Sequence, residues 1–248
     1  MSGHSKWSTI KRKKGAADAK RGQLFTKLAR EITVAARAGG VDVDANTRLR
    51  LAIDKARGEN MPKDKIDRAV QRATASGAGE NYDEVYYEGY GPGGTALMIQ
   101  TLTDNRNRTV GELRAALTRA GGTLGESGSV AWMFDQVGMI ALPVGGDDAD
   151  DLALVAIDAG ASDVQVEHDT VEVYTDVQDL HRVQELLTTA GYTVESAELM
   201  MKPKTLSAPD ADDAIKAIRL LERLEDLDDV QQVFSNLDVT DDVMAAVG

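Results

Sequence analysis

Between Val137 and Met201 the apolar spacing of this chain switches repeatedly between the periods of strand and helix, and the order of the switches leaves few folds open. The pattern predicts strands over 137–143, 163–168, 170–175 and 192–201, with helices over 148–160 and 177–190. Gly160 and Gly191 stand where a helix C-terminus favours a residue tolerant of left-handed backbone, and Thr175 with Gln178 reads as a capping box for the second helix. Strand, helix, strand, strand, helix, strand is a complete β-α-β-β-α-β unit, ferredoxin-like in its order.

The flanks of this unit divide into two further parts. Residues 1 to 15 show no apolar periodicity and read as an arm. From Ala16, Leu24, Leu28, Ile32, Ala35 and Ala36 recur at helical spacing until Gly39-Gly40. A second helix buries Leu49, Ala52, Ile53 and Ala56 and breaks at Gly58. Pro62 opens a third, which buries Ile66, Ala69, Val70 and Ala73. After Ser76-Gly77-Ala78-Gly79 the signals turn to strand: "DEVYYEGYGPGGTALMIQTLTDN" predicts two strands around a glycine-rich connection, Thr109 with Glu112 a capping box for a helix ending at Gly121-Gly122, and "SVAWMF" another strand. The helix from about Ala211 to Leu227 and the strand "VQQVFSNLD" are too little to fold alone, so they are expected to return to the sheet begun at Tyr82. The expected organisation is α+β, with 1–78 a basic arm and helical domain, 79–136 plus 204–248 a discontinuous α+β domain, and 137–203 the ferredoxin-like domain inserted in it.

Charge is distributed as unevenly as structure. Through Ala75 there are 18 Lys and Arg against 8 Asp and Glu, whereas the remaining 173 residues carry a net charge of −23. A phosphate backbone feels the local field within a Debye length of roughly 8 to 10 Å, so the overall charge of −13 does not argue against a polyanion at the N-terminal end. Lys6, Lys11, Arg12, Lys13, Lys14, Lys20 and Arg21 place seven cations within 16 residues around the aromatic Trp7, with His4 just ahead. That is the composition of a phosphate-contacting arm. Trp7 fits stacking on an exposed base and equally fits pinning the arm to the helical domain. Nothing in the arm reads base edges, so no sequence preference is expected from it. The acidic α+β part suits a protein partner or repels nucleic acid and so orients the molecule.

Other chemistries find little support. The chain has no cysteine, and its three histidines at 4, 168 and 181 belong to no recognised ligand spacing, so no metal and no cofactor is expected. Gly89, Gly91 and Gly94 match G-x-G-x-x-G by letter, but the run precedes a strand where a dinucleotide fingerprint follows one and opens a helix. A tight turn accounts for it. No nucleophile comes with an identifiable catalytic partner, so no enzyme is expected. No apolar run approaches a membrane span of about 18 residues, and the expected setting is the cytoplasm.

The stretches "GHSKWSTIKRKKGAADAKRGQLFTKLAREI", "YEGYGPGG", "LTDNRNRT" and "RLLERLEDLDDVQQVFSN", in this order, resemble the YebC/PmpR family, which includes the mitochondrial translational activator of cytochrome c oxidase subunit I. The resemblance spans nearly the whole chain. It implies three domains, and a DNA-binding transcriptional regulator, with a ribosome-associated, rRNA-binding translation factor as the alternative.

Overall fold

The computed structural model describes residues 18–74, 81–143, 148–167, 170–240 and 243. The fold class is α+β, with a helical N-terminal region and two four-stranded sheets. The described residues pack as two compact units, one drawn from 28–74 and 136–200, the other from 18–27, 81–135 and 201 onward.

In the first unit, helix α1 (Asp18–Gly39) from Leu28 onward, α2 (Thr47–Gly58) and α3 (Lys63–Thr74) bury the small apolar stripes the spacing predicts, with Ile32, Ala35, Leu49, Ala56, Ile66 and Ala69 almost fully enclosed. Val70 and Ala73, expected in that core, are only half-buried. Small side chains bring backbones close, and polar groups close the remaining gaps. Thr33 Oγ1 of α1 donates to the Ala69 carbonyl of α3 at 3.0 Å. Asn46 caps α2, its Oδ1 accepting from Leu49 N, while its Nδ2 donates to the carbonyls of Ala35 and Gly40 across the turn that ends α1. Gly40 takes φ +87 in that turn, the left-handed conformation that ends many helices.

The same unit holds the ferredoxin-like fold, built from β4 (Phe134–Pro143), α5 (Asp148–Asp158), β5 (Asp163–Glu167), β6 (Thr170–Thr175), α6 (Leu180–Thr189) and β7 (Ser196–Pro203). Its strands lie in the order β5-β6-β4-β7. Ile140, Leu142, Val171 and Val173 on the sheet pack against Leu152 and Ala156 of α5 and Leu180, Val183 and Leu187 of α6. Leu51 of α2 packs against this core, Arg50 donates to the ring of His181, and Lys55 pairs with Glu198 at 2.7 Å.

In the second unit, β1 (Asp83–Tyr90), β2 (Ala96–Thr103), β3 (Thr123–Leu124) and β8 (Val230–Ser235) form an antiparallel sheet in the order β3-β1-β2-β8. One face is covered by α4 (Arg106–Arg119) and α7 (Ala211–Glu225). Leu97, Ile99, Val230 and Val233 meet Leu113, Leu117, Ile218, Leu221 and Leu224 there.

Three local expectations change. The cap of α4 is Asn105, whose side chain accepts from Arg108 N; Thr109 lies inside the helix with its hydroxyl turned to buried partners, so it cannot cap. Helix α6 begins at Leu180 after Asp179, because Thr175 Oγ1 donates to its neighbour's carbonyl at Asp176 and leaves the helix N-terminus alone. "SVAWMF" is not a strand: 131–133 form a 3₁₀ turn, and Phe134 starts a strand that runs on through 143. Glu88 causes the turn by accepting the backbone N–H groups of Gly128, Val130 and Ala131.

Candidate nucleic-acid interface

Of the arm residues, His4, Lys6, Trp7, Lys11, Arg12, Lys13 and Lys14 lie outside the described residues. Lys20 sits in the first turn of α1 with its side chain outside them, and Arg21 is exposed on the same helix. The cations of α2 and α3 are described, and they divide into two kinds.

Three of the α2 cations are committed to the fold. Arg48 pairs with Glu31 of α1 at 2.9 Å and Lys55 with Glu198, whereas Arg57 pairs within its own helix with the exposed Asp54 at 3.1 Å. Arg50 spends its guanidinium on the carbonyls of Val43 and Asp44, at 3.1 and 2.6 Å, as well as on His181. A phosphate could recruit these groups only by breaking contacts already made.

Those of α3 are presented outward. Ile66 and Ala69 face inward, which turns Lys65, Arg68 and Arg72, at i, i+3 and i+7, along the solvent side as a line about 10 Å long. All three are exposed, as is Lys63. Arg68 pairs with Asp64 at 3.3 Å, but both side chains are more than 60% exposed, and such a pair exchanges easily for a phosphate. Lys63 and Arg72 have no ion pair among the described residues. The sequence shows all of these cations alike; what it conceals is that Glu31 and Glu198, on distant elements, occupy those of α2.

The second unit carries two buried carboxylates. Asp229, 2% exposed, accepts from Arg108 Nη2 at 2.8 Å, Thr109 Oγ1 at 2.7 Å and Thr103 Oγ1 at 3.0 Å, while its carbonyl accepts from Leu102 N. Burial by itself would push its carboxyl up, but the bonds from Arg108, Thr109 and Thr103 outweigh burial and hold it below the usual carboxylate range. Glu88, equally enclosed, accepts the backbone N–H groups of Gly128, Val130 and Ala131 at 2.6 to 2.8 Å. Its carboxyl is lowered for the same reason, burial being overcome by those three donors. Both carboxylates are engaged by several donors that fix the surrounding loops. They explain two of the sequence stretches singled out above: "LTDNRNRT" is anchored on Asp229, and the glutamate of "YEGYGPGG" winds 128–131 into their turn.

The glycine connection is structural as well. Pro92 is buried and Gly93 and Gly94 take φ +66 and +74; a Cβ on Gly93 would stand 2.4 Å from Pro209 Cβ. Among the described residues no group of three or more His, Cys, Asp or Glu could hold a metal, and no helix is long and apolar enough to cross a membrane.

Fold and surface together define an α+β protein with a basic helical N-terminal region. Residues 5–76 match the model of the TACO1/YebC protein N-terminal domain, and residues 82–237 match that of the TACO1/YebC second and third domain. A protein of Roseiflexus castenholzii is 56% identical over 248 residues, covering 98% of this chain and 97% of its own. One of Geobacter sp. strain M21 is 51% identical over 244 residues, 98% of each chain. Both carry the name probable transcriptional regulatory protein. The crystal structure of a conserved hypothetical protein from Aquifex aeolicus superposes with a TM-score of 0.84 at 44% identity, covering 90% of this chain and 93% of that one. The chain belongs to the TACO1/YebC family.

Proposed function

We propose that this protein is a non-enzymatic, cytoplasmic regulator of gene expression that binds DNA through its basic N-terminal end. The observation that carries the reading is the exposed line of Lys65, Arg68 and Arg72, an electrostatic track along the solvent side of α3. The relatives' names support transcription as the process. His4, Lys6, Trp7, Lys11, Arg12, Lys13, Lys14, Lys20 and Arg21 remain the binding candidates that the sequence offers, and the line on α3 adds to them. One observation favours a second reading, binding to ribosomal RNA: every cation identified is suited to backbone contact and none to base edges, which is how structured RNA is met by shape.

Salt titration against duplex DNA and a ribosomal RNA fragment tests both. Engaging four to six cations gives a log-log slope of roughly −3 to −5. Replacing Lys65, Arg68 and Arg72 by alanine should flatten it by roughly 2 to 3, and replacing Lys11, Arg12, Lys13 and Lys14 together by a similar amount, without changing sequence preference. A slope near zero for the parent protein, or variants that bind as tightly as the parent, refutes a phosphate interface. Co-sedimentation with ribosomal subunits on a sucrose gradient, together with weak duplex binding, decides for the second reading.

A further inference from the structure

The 45 residues from 136 to 180 contain eleven Asp and Glu and no Lys or Arg. Helix α5 lies in the middle of this stretch. It turns Leu152 and Ala156 fully into the core of the ferredoxin-like fold, yet its opposite side exposes Leu154 by 63% and Ile157 by 57%. Those two stand three residues apart and so lie on one helical ridge. Asp150, Asp151 and Asp158, all exposed, surround them within one turn, and none has an ion-pair partner among the described residues. Val166, 51% exposed on the edge strand β5, shares the face of Val164, which packs beneath the same helices. A solvated helix needs no such aliphatic ridge.

We propose that the outward face of α5 is a docking site for a basic amphipathic helix of another protein. Charge selects that occupant among those an apolar face could take. A second copy docked face to face would set three aspartates against three aspartates, and nucleic acid or an anionic bilayer would be repelled. A partner helix with Leu-like residues at i, i+3 and i+4 covers Leu154 and Ile157, while Lys or Arg along its flanks meets Asp150, Asp151 and Asp158. The proposal stands independently of the nucleic-acid reading, since it concerns the acidic part of the chain.

The test uses the full-length, ¹⁵N-labelled protein and a synthetic Leu/Lys helix of about 18 residues, with a Leu/Glu counterpart and a scrambled Leu/Lys peptide lacking an apolar face as controls. Saturable binding of the Leu/Lys helix alone, with the first amide shifts at 150–158, is expected. Leu154→Ser with Ile157→Ser should weaken it roughly tenfold. Asp150→Asn, Asp151→Asn and Asp158→Asn together should weaken it and remove its salt dependence. Both sets alter exposed side chains, and an unchanged melting curve for each confirms the fold. Equal binding of the scrambled peptide, shifts scattered over the acidic surface, undiminished binding by both variants, or self-association abolished by Leu154→Ser would overturn the proposal. The same variants titrated with duplex DNA should behave as the parent, which separates failure here from failure of the nucleic-acid reading.

Discussion

At the scale of single residues, the polar side chains that matter most join segments far apart in sequence. Asp229 meets Thr103, Arg108 and Thr109 across more than a hundred residues. Asp229→Ala would remove the buried acceptor shared by Thr103, Thr109 and Arg108, at a cost of roughly 3 kcal/mol, read as a lower urea midpoint with an unchanged slope. Folding holds the carboxyls of Asp229 and Glu88 below their ordinary values of 3.8 and 4.5. Their contribution is therefore complete above those values and is lost as pH falls through them toward the folded-state pKa. Melting curves between pH 7 and pH 3 should show a steep fall below about pH 4.5 in the parent and a shallower one in Asp229→Asn and Glu88→Gln. The glycines of the 89–94 connection separate by geometry. Gly94→Ala should cost about 1 kcal/mol for its positive φ, and Gly93→Ala about 2 or more because its Cβ also meets Pro209. At Gly91 the nearest neighbour of an added Cβ is 3.4 Å away and φ is not positive, so Gly91→Ala should lie within about 0.5 kcal/mol of the parent. A Gly91→Ala that is as damaging as Gly93→Ala would contradict this account.

At the scale of elements, caps and short helices decide how the basic surface is displayed. Three helices of small apolar contact gain little from burial individually, so Asn46, which holds the end of α1 and the start of α2 together, carries a large share of their mutual order. Asn46→Ala should cost about 2 kcal/mol, since it removes a cap and leaves two carbonyls unbonded. Hydrogen exchange should then rise first in α2. If instead exchange rises uniformly, the helices are ordered by something other than this side chain. Because α2 also holds Leu51, Arg50 and Lys55 against the ferredoxin-like fold, the same variant should loosen those contacts, while the sheet of β1, β2, β3 and β8 keeps its protection.

At the scale of the whole molecule, we propose the three-part organisation of 1–78, 79–136 plus 204–248, and 137–203. Lys204 N donates to the Met133 carbonyl at 2.9 Å, so the chain leaves the third part beside the strand by which it enters. Excising 137–203 and bridging the ends with a short linker should leave a cooperative thermal transition from the sheet that β8 completes. Helices α2 and α3, having lost the fold on which Leu51 packs, should melt earlier than in the parent. No cooperative transition in the remainder would count against the division.

Periodicity and punctuation alone determined the elements, because a helix stripe such as Leu49, Ala52, Ile53 and Ala56 and a β-α-β-β-α-β order are local properties of the chain. The unequal charge was legible for the same reason. What only the tertiary structure decided is which polar groups are already occupied. Arg48 and Arg72 look alike in sequence, but Glu31 reaches one, whereas among the described residues no ion pair reaches the other. Thr109 has the residues of a capping box, yet Asp229 claims its hydroxyl, and "SVAWMF" has the residues of a strand, yet Glu88 captures the N–H groups of Val130 and Ala131 and forces a turn. For Thr109 and for "SVAWMF" a buried carboxylate that needs several donors outbids a local preference of about 1 kcal/mol, and the identity of its donors is fixed by the fold that brings distant segments together.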